Sequence, residues 1–104
     1  MDTLQTAYKI LHSLETKKKA DYMGVIISPQ TLGIEEDEWL DVIRSLLDEG
    51  YVAGISIKQD ILGDVNVNIQ SARITLKGAE YLRENSAMRK FAKIATDIIT
   101  ITKH

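Results

Sequence analysis

The chain has 104 residues, 44% of them apolar, enough for one domain with its own core. It holds no cysteine, which excludes a disulfide scaffold and a thiolate zinc site. Its net charge of −2 says little by itself, but the charges are unevenly placed. Residues 1–34 sum to +1, 35–50 to −6, 51–74 to zero and 75–104 to +3.

MDTLQTAYKI has no basic stretch followed by an apolar one, so it does not read as a signal peptide. Within it Asp2 suits the cap of a first helix. Leu4, Tyr8, Leu11 and Leu14 recur at steps of three and four, and Ala7 and Ile10 widen that apolar stripe. The helix is expected to fade near Thr16, before Lys17, Lys18 and Lys19. Tyr22 to Ile27 is a short apolar run, either a strand stub or a packed loop. The longest uncharged run, Tyr22 to Ile34, is broken by Gly24 and Pro29 and falls short of the ~20 residues that span a bilayer. A cytoplasmic protein with no membrane partner is the expectation.

Ser28-Pro29 starts a very short second helix, since serine accepts from free N–H groups and proline at the first position loses nothing. Gly33 stops it. The third helix is IEEDEWLDVIRSLLDEG, with seven acids and one base. Trp39, Leu40, Ile43, Leu46 and Leu47 give its core face, the acids of its first turn match the helix dipole, and Gly50 ends it in the left-handed conformation. Tyr51 to Ile57 is rich in β-branched and aromatic residues and predicts a strand. After a loop with Asp60, Gly63 and Asp64, a second strand alternates Val65, Val67 and Ile69 with Asn66, Asn68 and Gln70. Thr75 starts a fourth helix with Leu76, Ala79, Tyr81 and Leu82 on its apolar side. Asn85 closes it and Ser86 caps a last helix, whose stripe is Met88, Phe91, Ala95 and Ile98.

Three helices, a β-hairpin wing and two more helices make an α+β winged helix-turn-helix, read as one domain over 1–104, with 86–104 a C-terminal helix for packing or dimerisation. ISPQTLGIEEDEWLDVIRSLLDEGYVAGI, followed after the hairpin by ITLKGAEYLREN, resembles the YjcQ-like family of small bacterial and phage proteins. That resemblance spans most of the chain and implies a winged-helix fold. It brings no catalytic residues with it. Winged helices more broadly bind DNA, and many serve as protein-interaction or dimerisation modules.

The residues offer little chemistry. His12 and His104 lack a positioned partner in the sequence. Ser28 reads as a cap, and no glycine spacing matches a phosphate-binding loop. The run Glu35 to Glu38 points in several directions and lacks a calcium-loop pattern, so it reads as a solvated first turn. Neither a catalytic site, a metal, a cofactor nor a small-molecule substrate is expected.

Double-stranded DNA is a candidate partner by fold analogy. Phosphates demand cations, and bases are read mostly by Arg, Lys, Asn and Gln. Asp37, Glu38, Asp41, Arg44, Ser45 and Asp48 are left facing out from the third helix, and only Arg44 suits DNA. The wing offers Lys58, Asn66, Asn68, Gln70 and Arg73. Lys17 to Lys19 and the bases Lys77, Arg83, Arg89, Lys90 and Lys93 are either phosphate contacts or a solvated face. The nominated nucleic-acid contacts are therefore Arg44, Lys58, Asn66, Asn68 and Arg73. Met88, Phe91, Ala95 and Ile98 fall on a near-heptad seam that either pairs with a second copy or folds back on the first helix. The expectation is a non-enzymatic, DNA-linked regulatory or accessory factor. Its alternative is a protein-interaction or dimerisation module, acting as a homodimer or with another protein, that does not bind DNA.

Overall fold

A computed structural model describes residues 3–16 and 27–102, with the backbone alone over 95–102. Helix α1 covers Thr3–Thr16 and buries Thr6, Ala7, Tyr8, Ile10, Leu11 and Leu14. Leu4, expected on that stripe, is 44% exposed. The first turn, Thr3 to Gln5, lies at the margin of the core, so the stripe takes hold only one turn later. The reverse surprise is Thr6, fully buried with an unpartnered hydroxyl.

Helix α2 is the single turn Pro29–Leu32. Ser28 Oγ accepts from the Thr31 N–H at 3.2 Å, and Gly33 ends the turn at φ 68°. Helix α3 covers Glu36–Asp48 and buries Trp39, Val42, Ile43 and Leu46. Leu40 and Leu47 are half-buried and pack against the core, and Val42, not expected on that face, is fully buried. The buried arc of α3, which packs against α1, is thus rotated toward Val42. At the C-terminus the Tyr51 N–H donates to the Leu46 carbonyl and the Gly50 N–H to the Leu47 carbonyl, with Gly50 at φ 76°. That is a Schellman ending, and it satisfies two otherwise orphaned carbonyls.

The expected strand over Tyr51 to Ile57 is two short strands, β1 (Val52–Ala53) and β2 (Ser56–Gln59). Gly54, at φ 77°, separates them, and a Cβ at that position would overlap the Ser71 carbonyl oxygen. Strand β2 pairs antiparallel with β3 (Val65–Asn68), and β1 with β4 (Arg73–Ile74). Ile69 lies beyond β3, itself buried at the start of a turn where the Ala72 N–H donates to its carbonyl at 3.2 Å.

Helix α4 covers Leu76–Glu84 and α5 covers Ser86–Thr102. Thr75 caps α4, accepting from the Gly78 N–H at 3.0 Å and donating to the Gly50 carbonyl at 2.6 Å. Leu76 is 86% exposed, contrary to expectation. It sits about 240° round the helix from Leu82, which is buried. The cap of α5 is Asn85 and not Ser86. Asn85 Oδ1 accepts from the N–H groups of Ala87 at 3.0 Å and Met88 at 3.2 Å, from an extended backbone that already leaves α4.

The core closes around α1, which packs against α3, α4, α5 and β4. Ile10, Leu11, Ile27, Ile43 and Met88 are fully buried there. Apolar burial on this scale is the main stabilising term of a domain this size. Among the described residues no helix is long and apolar enough to cross a membrane.

Candidate functional site

Helix α3 carries the most distinctive surface. Glu35 to Glu38 surround its N-terminus, where unpaired N–H groups favour negative charge. Asp37, Asp41, Arg44, Ser45 and Asp48 are exposed, at the spacing of one helical face. Arg44 thus stands among three carboxylates. Ser45 Oγ is turned to its own helix, donating to the Asp41 carbonyl at 3.0 Å. Glu38, expected to face outward, is only half-exposed, and its Oε1 is buried without a hydrogen-bond partner.

The hairpin has two different faces because strand residues alternate. Ser56 lies opposite Asn68 and Lys58 opposite Asn66, all four exposed on one face. Ile57 opposite Val67 and Gln59 opposite Val65 make the other face, where the three apolar side chains are half-buried. The structure therefore brings Lys58, Asn66 and Asn68 together. Asn68 is partly committed, its Oδ1 accepting from the Gln70 N–H at 3.0 Å. Arg73 stands apart on β4, opposite Ala53, with its guanidinium over Gly54. Arg44 is separate again. It lies about two turns beyond the end of α3 that borders the hairpin.

Between that end of α3 and β3 runs an open groove of about 500 Å³. Pro29, Trp39, Val65 and Val67 form its apolar walls, with Gln30 and Glu36 beside them. Gln70, offered with the wing, lines this groove as well.

The wing tip is a structured turn. Asp60 Oδ1 accepts from the N–H groups of Leu62 and Asp64, both at 2.9 Å, and the Asp60 N–H donates to the Asp64 carbonyl at 2.9 Å. The Gln59 side chain adds a bond to the Gly63 carbonyl at 3.2 Å. This scaffold holds Ile61 and Leu62 fully in solvent, at 103% and 86% exposure. Sequence reasoning noted the polar turn residues and passed over these two. The signal was present as two adjacent aliphatics enclosed by Asp60 and Gly63-Asp64.

On α5, Met88 is fully buried, and the Phe91 ring lies 5.9 Å from that of Tyr8 on α1. These two seam residues pack within the chain. Ala95 and Ile98 lie outside the residues whose side chains are described, and Lys17 to Lys19 and His104 lie outside the described residues altogether. Arg89, Lys90 and Lys93 are exposed beside Ser86 around a shallow hollow of about 420 Å³. Ile94, next to Lys93, is 47% exposed.

Two ring clusters also went unread in the sequence. His12 stacks on Tyr8 with centroids 5.2 Å apart, and burial, reinforced by nearby Glu15, pushes the Tyr8 hydroxyl above its ordinary pKa. Tyr51 stacks on Tyr81 at 4.4 Å with Lys77 Nζ 5.5 Å from the Tyr51 ring. Burial first, then the charges of Tyr51 and Glu49, raise the pKa of Tyr81. Among the described residues one ion pair forms, Arg83 to Glu15 at 3.7 Å, and no group of three His, Asp or Glu side chains converges to hold a metal.

A helical core whose short second helix leads into α3, with an antiparallel hairpin following α3 at its side, makes a small winged-helix-like α+β arrangement. The family model for the YjcQ protein matches residues 8–100, and the chain belongs to the YjcQ family. No curated protein and no solved structure matches the chain.

Proposed function

We propose that this chain is a non-enzymatic regulatory or accessory module that acts by docking with protein and does not offer its third helix to DNA. One observation carries the reading. The exposed face of α3 sets Asp37, Asp41 and Asp48 around a lone Arg44. A helix seated in the major groove brings its exposed face close to phosphates, and carboxylates there repel a polyanion. One arginine does not offset three acids.

The direct test is fluorescence anisotropy with a labelled random-sequence duplex at low and at moderate salt. No binding at low salt is the expected result. Binding that weakens steeply with added salt would overturn the reading, because it reports phosphate contacts.

A second reading keeps the DNA-linked role and moves it to the wing. It is favoured by the exposed polar face of Ser56, Lys58, Asn66 and Asn68, with Arg73 on the adjoining strand. Under that reading Lys58→Ala and Arg73→Ala weaken duplex binding and Arg44→Ala does not.

A further inference from the structure

Among the described residues the exposed large aliphatics are Leu4, Ile61, Leu62, Leu76 and Ile94, and two of the spots they make have opposite electrostatic settings. At the wing tip Ile61 and Leu62 stand free of the rest of the chain, at 103% and 86% exposure, bracketed by Asp60 and Asp64. The turn is held by backbone and side-chain hydrogen bonds, so the pair is presented in a fixed position and does not fold down to cover itself. On α5 Ile94 is half-exposed, with the exposed Lys93 just before it and the exposed Lys90 one turn back on the same helix. Exposed aliphatics on a structured element have a hydration cost that a partner relieves. The bracketing charges say which partner. The acids of the tip disfavour DNA and anionic lipid and favour a cation-rimmed apolar surface. The bases beside Ile94 favour the converse. Each spot has the chemistry that the other lacks, and both lie on one chain.

We propose that a second copy of this chain is the partner, with the wing tip of each copy seated on the Lys90–Ile94 face of α5 in the other. The inference rests on reading the chain as an interaction module and gives that module a partner. Two copies related by a two-fold axis make the contact twice, so the assembly closes at a dimer and does not grow into a filament. Each contact is small, which places the pairing among weak, concentration-dependent associations. The two-fold contact leaves the Met88 and Phe91 seam inside its own protomer, where it is already used.

Sedimentation equilibrium at low salt tests it with three samples. The wild type is expected to show a dimer that weakens as salt or dilution increases. A tip variant, Ile61→Ser with Leu62→Ser, and a face variant, Lys90→Glu with Lys93→Glu, are each expected to sediment as monomers. All four positions are exposed, so circular dichroism and the melting curve should match the wild type. The deciding sample is the mixture of the two variants. One intact tip then meets one intact face, and dimer mass should return in part. A wild type that is monomeric at every concentration overturns the pairing, as do variants that keep the dimer mass. A mixture that stays monomeric overturns it as well. None of these results bears on the duplex titration, so the self-pairing and the interaction-module reading fail separately.

Discussion

The indole N–H of Trp39 donates to the Ile27 carbonyl at 2.8 Å inside the core. This bond ties the start of α3 to the segment that leads into α2. Trp39→Phe keeps most of the ring volume but leaves the buried carbonyl without a donor. The expected loss is about 1–3 kcal/mol, read as a lower midpoint in urea with an unchanged slope. A midpoint equal to that of the wild type would show the bond to be dispensable.

Gly54 and Gly33 both have positive φ, yet they differ in surroundings. A Cβ at Gly54 would overlap the Ser71 carbonyl oxygen, whereas one at Gly33 meets nothing within 4 Å. Gly33→Ala should cost about 1 kcal/mol, the strain of the left-handed region alone. Gly54→Ala should cost well over about 2 kcal/mol, since backbone must move as well. Thermal melts of the two variants compare them directly, and equal shifts would refute the steric argument.

The junction of α4 and α5 distinguishes two neighbouring caps. Asn85→Ala removes the acceptor for two N–H groups and should destabilise by about 1 kcal/mol. Ser86→Ala, one position on, should stay within about 0.5 kcal/mol of the wild type. The opposite ranking in chemical denaturation would restore Ser86 as the cap.

Alkaline titration should separate Tyr8 and Tyr81 from an ordinary tyrosine. Both hydroxyls have pKa values raised above the model-compound value of 10.0 in the folded chain, mainly by burial. A raised folded pKa means that the neutral form is favoured by folding. The associated stability is fully present below pH 10 and is lost as pH rises through the folded pKa. Ring signals of both residues in NMR should therefore shift later than those of a free tyrosine. Stability should be flat across neutral pH on their account and fall only above about pH 10. Early titration of either ring would contradict the burial argument.

Much of this architecture is legible in the residues. The spacing of Ala7, Ile10, Leu11 and Leu14 places α1, Ser28-Pro29 with Gly33 delimits α2, and Gly50 marks the end of α3. What periodicity does not carry is phase and context. Leu4 and Leu76 lie on plausible stripes but sit where the helix has run past its neighbours or turned away from them. Val42 is buried in the core that α3 shares with α1, a fact of tertiary packing. Gly54 breaks a strand that composition alone reads as continuous, because Ser71, distant in sequence, comes up against it. Asn85 ends one helix and caps the next, and single-element rules assign it only the first task. The hairpin's polar face was readable from alternation, whereas Ile61 and Leu62 were hidden by the expectation that a loop is polar.

The packing of Tyr8 against Phe91 has a consequence for synthesis. The first helix finds its aromatic partner on the last, with nearly the whole chain between them. A ribosome must therefore release α5 before α1 can be fully enclosed. Until then the side of α1 that carries Tyr8 must stay solvated or find temporary cover. Cooperative folding is thus expected only once the segment through Met88 and Phe91 has emerged, which makes this a late-closing domain despite its small size.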